Sequence, residues 1–249
     1  MSSKAILITI SAFWGISVGW AGGNQPLPTD QEIGDRITNA NAQSRASLPT
    51  YSVLRTYNLH SSRLSHDATM TVRVDYRGGR AERFDVVKVE NASFIGKKVL
   101  NKIIESETEA NKKDGEMDIS NANYKFHVSG TAAQNGTLCY VVELTPKRSS
   151  KFLLQGRAWV DAAEFAIVRL EGHPAASVGF GVGKPNLVID FQKIGEFWMA
   201  AHNRSEAHGF LFGSSVLTVD FSGYQLPAHV DLASVRRIAG QANRASVVQ

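Results

Sequence analysis

The clearest pattern in the chain is an alternation of apolar and polar residues from Tyr124 to Gly172. Side chains of a strand point in turn to its two faces, so a period of two predicts strands with one dry face. Turn-forming residues at 130–136, 146–150 and 161–164 divide the segment into four antiparallel strands. The apolar positions that define the dry face of the first two strands are Tyr124, Phe126, Val128, Leu138, Tyr140, Val142 and Leu144.

The same period recurs on both sides of this segment. Before it, residues 51–59 alternate, and Met70, Val72, Val74 and Tyr76 form the dry side of a strand that turns at Gly78-Gly79. The returning strand, 84–89, changes phase between Val86 and Val87, which predicts a bulge or a doubly buried end. After it, strands are predicted around Leu187, Ile189 and Phe191, over Phe197 to His202, and over 210–221.

Two segments have helical spacing instead. The first begins with the capping box of Thr29 and Glu32, continues through Ile33 and Ile37, and ends at Leu48-Pro49. The second runs from Ser93 to Gly115, and its apolar stripe consists of Ile95, Val99, Leu100, Ile103 and Ile104. Lysines close its last turn, and Gly115 can adopt the left-handed cap conformation.

Together these elements predict one α+β domain. About ten or eleven strands and two helices follow one another with no linker, so we expect a single domain over residues 29–225 and a tail over 226–249. The first 21 residues have the features of a secretory signal, with Lys4, a short apolar segment and a small-x-small site. We therefore expect a periplasmic or secreted protein that is not an integral membrane protein after cleavage.

Composition limits the choice of partner and of chemistry. The net charge of +4 comes from scattered residues, which argues against a nucleic-acid partner. The single cysteine, Cys139, allows no internal disulfide and is expected to be a buried, unreactive side chain. A basic hairpin tip at 147–151 could contact phospholipid headgroups, although a solvated turn explains it equally well.

The candidate catalytic and metal patterns are weak. His202, Glu206 and His208 do not have zincin spacing and are expected to be surface-loop residues, so no metal site is predicted. There is no G-x-S-x-G motif, and the Gly179–Lys184 run lacks the phosphate-loop order. The carboxylate pairs Asp161 with Glu164 and Asp190 with Glu196 could serve a glycosidase but lie in or beside predicted turns. The sequence therefore predicts a non-enzymatic protein with no cofactor.

Three asparagines lie in N-x-[ST] sequences that could accept glycans, although chance occurrence explains them as well. These residues are Asn91, Asn135 and Asn203.

The order of elements and three short segments resemble the LolA/LolB-like superfamily of exported lipoprotein carriers and lipoprotein-sorting proteins. The segments are Leu144-Thr145-Pro146-Lys147, Gly156-Arg157-Ala158-Trp159-Val160-Asp161 and Ile167-Val168-Arg169-Leu170-Glu171. The resemblance extends over about residues 32–224. It implies a strongly curved antiparallel sheet, an incomplete β-barrel, with helices covering its concave face and an apolar cavity between them.

The resemblance implies binding of a lipid, an acyl chain or a lipoprotein in that cavity, for transport in the cell envelope. The residues expected to line the cavity are Met70, Val72, Val74, Tyr76, Phe126, Tyr140, Val142, Phe152 and Phe191. Each of them could equally be ordinary core, because an alternating strand buries its apolar side with or without a ligand. Two other functions stay open: a module that binds or senses envelope proteins, and an enzyme of unknown chemistry.

Overall fold

The computed structural model describes residues 26–113, 115–179, 183–209 and 213–227. Within these ranges the chain forms two helices and ten strands, as the alternation predicts. In order they are α1 (Asp30–Ser47), β1 (Tyr51–Ser61), β2 (Ala68–Arg77), β3 (Arg80–Glu90), α2 (Phe94–Asn111), β4 (Tyr124–Gln134), β5 (Thr137–Pro146), β6 (Leu154–Asp161), β7 (Ile167–Pro174), β8 (Asn186–Ile194), β9 (Phe197–Gly209) and β10 (Gly213–Gln225). The predicted signal segment 1–21 and nearly all of the predicted tail lie outside the described residues.

All ten strands belong to one antiparallel sheet in the order β3-β2-β1-β10-β9-β8-β7-β6-β5-β4. The first strand, β1, and the last, β10, pair in the interior of the sheet, and β3 and β4 form the two edges of the sheet. Among the described residues no ladder joins β3 to β4, so the sheet is an incomplete barrel, as expected.

Bulges and glycines give the sheet the means to bend. Five of its nine ladders contain a register shift, and such irregularities increase local twist and bending. Gly156 on β6 faces Gly172 on β7, where the backbones approach closely. A Cβ at Gly156 would lie 2.0 Å from the carbonyl oxygen of Glu171, so only glycine fits there.

The register defines one face of the sheet, here called the inner face. A single row of paired residues crosses all ten strands on this face. From β4 to β3 the row reads Val128, Val142, Ala158, Leu170, Ile189, Asn203, Val219, Tyr57, Met70 and Val89. Both helices pack on this face, because the buried residues of each helix share clusters with members of the row.

Helix α1 has the start and end that the sequence predicts. The Thr29 hydroxyl accepts a hydrogen bond from the Glu32 N–H at 3.2 Å, which satisfies one of the unpaired donors of the first turn. Leu48 is extended because the following residue is Pro49. Ile33 and Ile37 are fully buried against the strands, so α1 is held by one narrow apolar stripe.

Helix α2 begins one residue after Ser93, whose hydroxyl accepts a hydrogen bond from the Gly96 N–H at 3.1 Å. Leu100 is fully buried, and Val99, Ile103 and Ile104 pack around it, as the predicted stripe requires. The side chain of Ile95 lies outside the described part of the helix.

Two local predictions need correction, and one pair of alternatives is decided. Leu138 is 60% exposed; it lies at the turn end of the β4–β5 hairpin, beyond a register shift at 128–130. The phase change in β3 is a bulge at Val87, which confirms the first of the two predicted alternatives, and Val87 is 57% exposed. Strand β9 continues to Gly209, so His202 and His208 lie on a strand and not in a loop.

Candidate functional site

The inner face carries two separate apolar clusters. The α1 cluster joins Ile33 and Ile37 to residues of β4–β8, and the α2 cluster joins Leu100 to residues of β1–β3, β9 and β10. The two clusters meet at β9. Ile189 of β8 packs against the α1 cluster and Val219 of β10 belongs to the α2 cluster. The residue of β9 that lies between Ile189 and Val219 is therefore at the boundary of the two clusters.

That boundary residue is Asn203, the single non-aromatic polar side chain in the ten-residue row. Its partners across the ladders are Ile189 and Val219. The Oδ1 atom of Asn203 is buried and has no hydrogen-bond partner among the described residues. An unsatisfied buried oxygen of this kind costs about 1–3 kcal/mol. The side chain also faces the interior, which makes Asn203 a poor glycan acceptor in the folded protein.

A cavity of about 590 Å³ lies between the C-terminal half of α1 and the β7–β9 region. This volume is within the usual range of about 300–1,000 Å³ for small-molecule sites. Its apolar lining residues are Ala40, Met117, Ile119, Ala166, Ile167, Leu170, Phe191, Phe197 and Trp198. The cavity therefore offers an apolar floor on the sheet and a wall formed by the helix.

Polar residues line the rest of the cavity. Arg45 of α1 holds Asp118 through two hydrogen bonds, of 2.5 and 2.7 Å. Glu164 accepts hydrogen bonds from Lys193 and, at 2.8 Å, from the Trp198 indole. These two bonds lower the pKa of the Glu164 carboxyl, the lysine contributing most. Both cations are therefore already matched by carboxylates.

A second polar group lies on the inner face, within the α2 cluster. Arg55 of β1 pairs with Glu107 of α2 and donates to the Tyr57 hydroxyl at 3.2 Å. The guanidinium also lies over the rings of Tyr76 and Phe221, at 5.4 and 5.1 Å from their centroids. Burial raises the pKa of Tyr57, and the Glu107 carboxylate adds to the effect. This group fixes α2 to β1.

The structure separates the nine predicted cavity residues. The α2 cluster includes, or is packed against by, Met70, Val72, Val74 and Tyr76. The α1 cluster includes, or is packed against by, Phe126, Tyr140, Val142 and Phe191. Phe152 lies in the β5–β6 connection, under the ammonium groups of Lys113 and Lys151. Of the nine, Phe191 lines the cavity beneath α1.

Sequence reasoning missed most of the cavity lining. Ile167 and Leu170 lie in a strand where Val168 is also buried, so the alternation there is weak. Phe197 and Trp198 begin a strand, and Met117 and Ile119 lie in an irregular segment. The adjacent aromatic residues Phe197 and Trp198 could have been noticed in the sequence. No periodic pattern, however, places them beside α1 in one cavity.

Several of the other candidate groups have structural partners. Asp161 accepts hydrogen bonds from the Ala163 and Glu164 N–H groups, both at 2.7 Å, and so closes a turn. Asp190 pairs with Arg169, and His202 with Asp220. In the described ranges no three His, Cys, Asp or Glu residues are arranged to hold a metal ion.

Cys139 is fully buried, as predicted, and burial raises the pKa of its thiol. Asn135 and Asn91 have φ values of 50° and 52°. Asparagine tolerates this left-handed conformation better than most residues, which accounts for both positions without a glycan.

Comparison with known proteins finds similarity in structure alone. No protein-family model matches the chain, and no curated protein is significantly similar in sequence. Similar solved structures include a DUF1329 family protein from Desulfovibrio piger ATCC 29098, with 10% identity, a TM-score of 0.44, and coverage of 82% of this chain and 96% of that chain. A LolA superfamily protein from Nitrosomonas europaea has 13% identity, a TM-score of 0.38 and coverage of 82% and 96%.

A third similar structure is a domain from Vibrio parahaemolyticus assigned to outer-membrane lipoprotein sorting, with 12% identity, a TM-score of 0.42 and coverage of 78% and 93%. The superfamily that the sequence resembles is thus represented among the solved structures similar to this chain. Neither α1 nor α2, the helices of the described part, has the length and hydropathy needed to cross a membrane.

Proposed function

We propose that this protein is an exported, non-catalytic carrier that holds the acyl chain of a lipid or lipoprotein in the cavity between α1 and strands β7–β9. The observation that carries the proposal is the cavity itself, about 590 Å³ with a floor that includes Leu170, Phe191 and Phe197. Transfer of alkyl groups from water to such a floor is favourable by about 25 cal/mol per Å² of buried apolar area.

Several polar side chains around the cavity are engaged within the protein. The polar side chains of Asn41 and Thr38 on α1 are engaged with the 119–121 segment, through bonds of 2.9 Å in each case. They therefore hold the helix wall in place. Glu164 and Arg45, which also line the cavity, are held in ion pairs.

Native mass spectrometry of the protein purified from its own host tests the proposal. We expect co-purified lipid, and uptake of a fluorescent fatty acid by the delipidated protein. Phe191→Glu places a charge in the cavity and should abolish uptake. Phe94→Glu is the matched control, because Phe94 is 84% exposed on α2 and its change should leave uptake intact. A clean apo mass without fatty-acid uptake would contradict the carrier function.

A second function, binding of an envelope protein, is favoured by the β3 edge. Val86, Val87 and Val89 are exposed on this strand, and its outer ladder positions are unpaired in the described sheet. Edge strands of this kind accept an extended segment of a partner. In-cell crosslinking should capture a partner at β3 that is lost in Val87→Lys, while Leu138→Lys, on the far hairpin, leaves it unchanged.

A further inference from the structure

The ten-residue row across the inner face contains one exception to its apolar and aromatic character. Asn203 occupies the position between Ile189 and Val219, where the α1 and α2 clusters meet. A leucine or valine there would join the two clusters into one core without burying a polar group. The Asn203 amide is therefore less favourable for packing than an apolar side chain. A role in binding a ligand would explain its presence.

The Asn203 amide has a buried oxygen that needs a donor. No described residue donates to Oδ1, although buried side-chain oxygens are normally satisfied. Leu170 lines the cavity and precedes Asn203 by two strands in the same row. Asn203 is not itself a lining residue of the cavity. Two strand spacings amount to about 10 Å, the distance over which a polar group of the amphiphile would extend from Leu170 along the row.

The charges around the site indicate which polar group this is. On the described inner face Arg55 is neutralised by Glu107, and the cations beside the cavity, Arg45 and Lys193, are held by Asp118 and Glu164. An anionic headgroup brought to Asn203 would be buried without a counter-charge, which is unfavourable. A hydroxyl or amide N–H can donate to Oδ1 and adds no charge.

We propose that Asn203 is a specificity-determining residue that accepts a hydrogen bond from a neutral hydroxyl or amide N–H of the amphiphile. This inference rests on the proposed carrier function. It ranks neutral amphiphiles with a donor close to the acyl chain above hydrocarbons, and above fatty acids or phosphates, which bind through the acyl chain alone.

Displacement of a bound fluorescent fatty acid from the full chain tests the assignment with two probes that share a twelve-carbon acyl chain. Monolaurin carries hydroxyl donors, whereas methyl laurate carries none. We expect wild type to bind monolaurin about 3- to 10-fold more tightly, the value of one net hydrogen bond. Asn203→Leu should remove this preference and leave the affinity for methyl laurate unchanged.

The thermal stability of the apo protein supplies a second readout. Asn203→Leu should raise the melting temperature, because it replaces an unsatisfied oxygen by an apolar group. Asn203→Ala, which avoids added bulk, should lose the preference as well. Asn101→Leu, the same substitution on the exposed side of α2, should retain it. A preference that persists in both Asn203 variants overturns the assignment and leaves the carrier function standing. If wild type binds neither probe and no fatty acid, the carrier function itself fails.

Discussion

The two helices that cover the inner face are fixed to it in different ways. Helix α1 contributes two fully buried isoleucines, Ile33 and Ile37, whereas among the described side chains of α2, which exclude Ile95, Leu100 is the fully buried large one. Directional bonds also hold α1 along its length. Asp30 accepts from the Val128 N–H at 2.9 Å near one end, and Arg45 binds Asp118 near the other.

Helix α2 has fewer anchors among the described residues. Besides the buried Leu100, the Glu107 carboxylate is held by Arg55 and Tyr57 of β1, and Glu109 pairs with Lys151 of the β5–β6 connection at 3.0 Å. The cavity thus lies beneath α1, the helix with more anchors among the described residues, where a stable wall is useful. The α2 half resembles a packed core, closed on the described part of α2 by Leu100 and by the ion pairs of Glu107 and Glu109.

The largest expected effects come from the buried helix residues. Ile37→Ala and Leu100→Ala should each lower the free energy of unfolding by about 2–5 kcal/mol, as measured by urea denaturation. Hydrogen exchange separates the two halves. Leu100→Ala should remove protection from α2 amides while α1 remains protected, because α1 has a second isoleucine and its own hydrogen bonds. Equal loss of protection in both helices would contradict the comparison.

A pair of glycines provides a closer test of how tightly each helix lies on its surroundings. A Cβ at Gly34 would lie 2.4 Å from the Asn121 Oδ1 and 2.8 Å from the Phe126 ring, whereas at Gly96 the nearest atom is the Ala68 Cβ at 3.0 Å. Alanine favours a helix over glycine by about 1 kcal/mol. We expect Gly34→Ala to destabilise by about 1–3 kcal/mol despite that gain.

Gly96→Ala should be near neutral in the same thermal unfolding experiment, because a shift of a few tenths of an ångström relieves its contact. The prediction is wrong if Gly34→Ala stabilises the protein as much as Gly96→Ala does.

The ion pair between Arg55 and Glu107 can be removed by substituting either residue. Arg55→Met should lower the free energy of unfolding by about 1–2 kcal/mol, because the partly buried Glu107 loses its counter-charge. Arg55→Met combined with Glu107→Met should recover most of the loss. A double-mutant cycle measures the coupling, and strict additivity of the two changes would show that the pair does not tie α2 to the sheet.

The smallest effect concerns the pH dependence of the α1 half. Hydrogen bonds from the Val128 N–H and then from His127 lower the pKa of Asp30 from its ordinary value of 3.8. A carboxyl with a lowered pKa stabilises the fold above its unfolded pKa, and that stability is lost as pH falls through the folded value. Asp30→Asn should therefore show a smaller drop in melting temperature between pH 5 and about pH 2 than wild type.

The histidine of this pair acts in the opposite sense. Asp30 raises the pKa of His127 from 6.5, so its contribution is complete below the ordinary value and is lost as pH rises through the folded one. His127→Gln should remove the loss of stability as pH rises through the folded pKa of His127. It should keep most of the loss of stability at acid pH that Asp30 causes. If the melting temperature falls equally between pH 5 and about pH 2 in wild type and in Asp30→Asn, the Asp30 carboxylate does not cause the acid loss of stability.

The elements could be predicted because their signals are local. The period of two located the strands, and the capping box at Thr29 and Pro49 set both ends of α1. Most of the site could not be predicted in this way. Phe191 was found from its alternation, but its cavity neighbours come from β7, β9, α1 and the 117–119 segment, which only a folded chain brings together.

Local alternation in the sequence sets which side of most strands is dry, because side-chain direction follows the backbone period. Leu138, exposed beside the buried Cys139, is an exception. The tertiary structure decided what that dry side meets. It paired the strands in register, so that nine apolar or aromatic residues and Asn203 form one row, and it laid α1 over the cavity. Register depends on bulges and on pairing between strands far apart in the chain, such as β1 with β10, and these are long-range interactions that no local pattern contains.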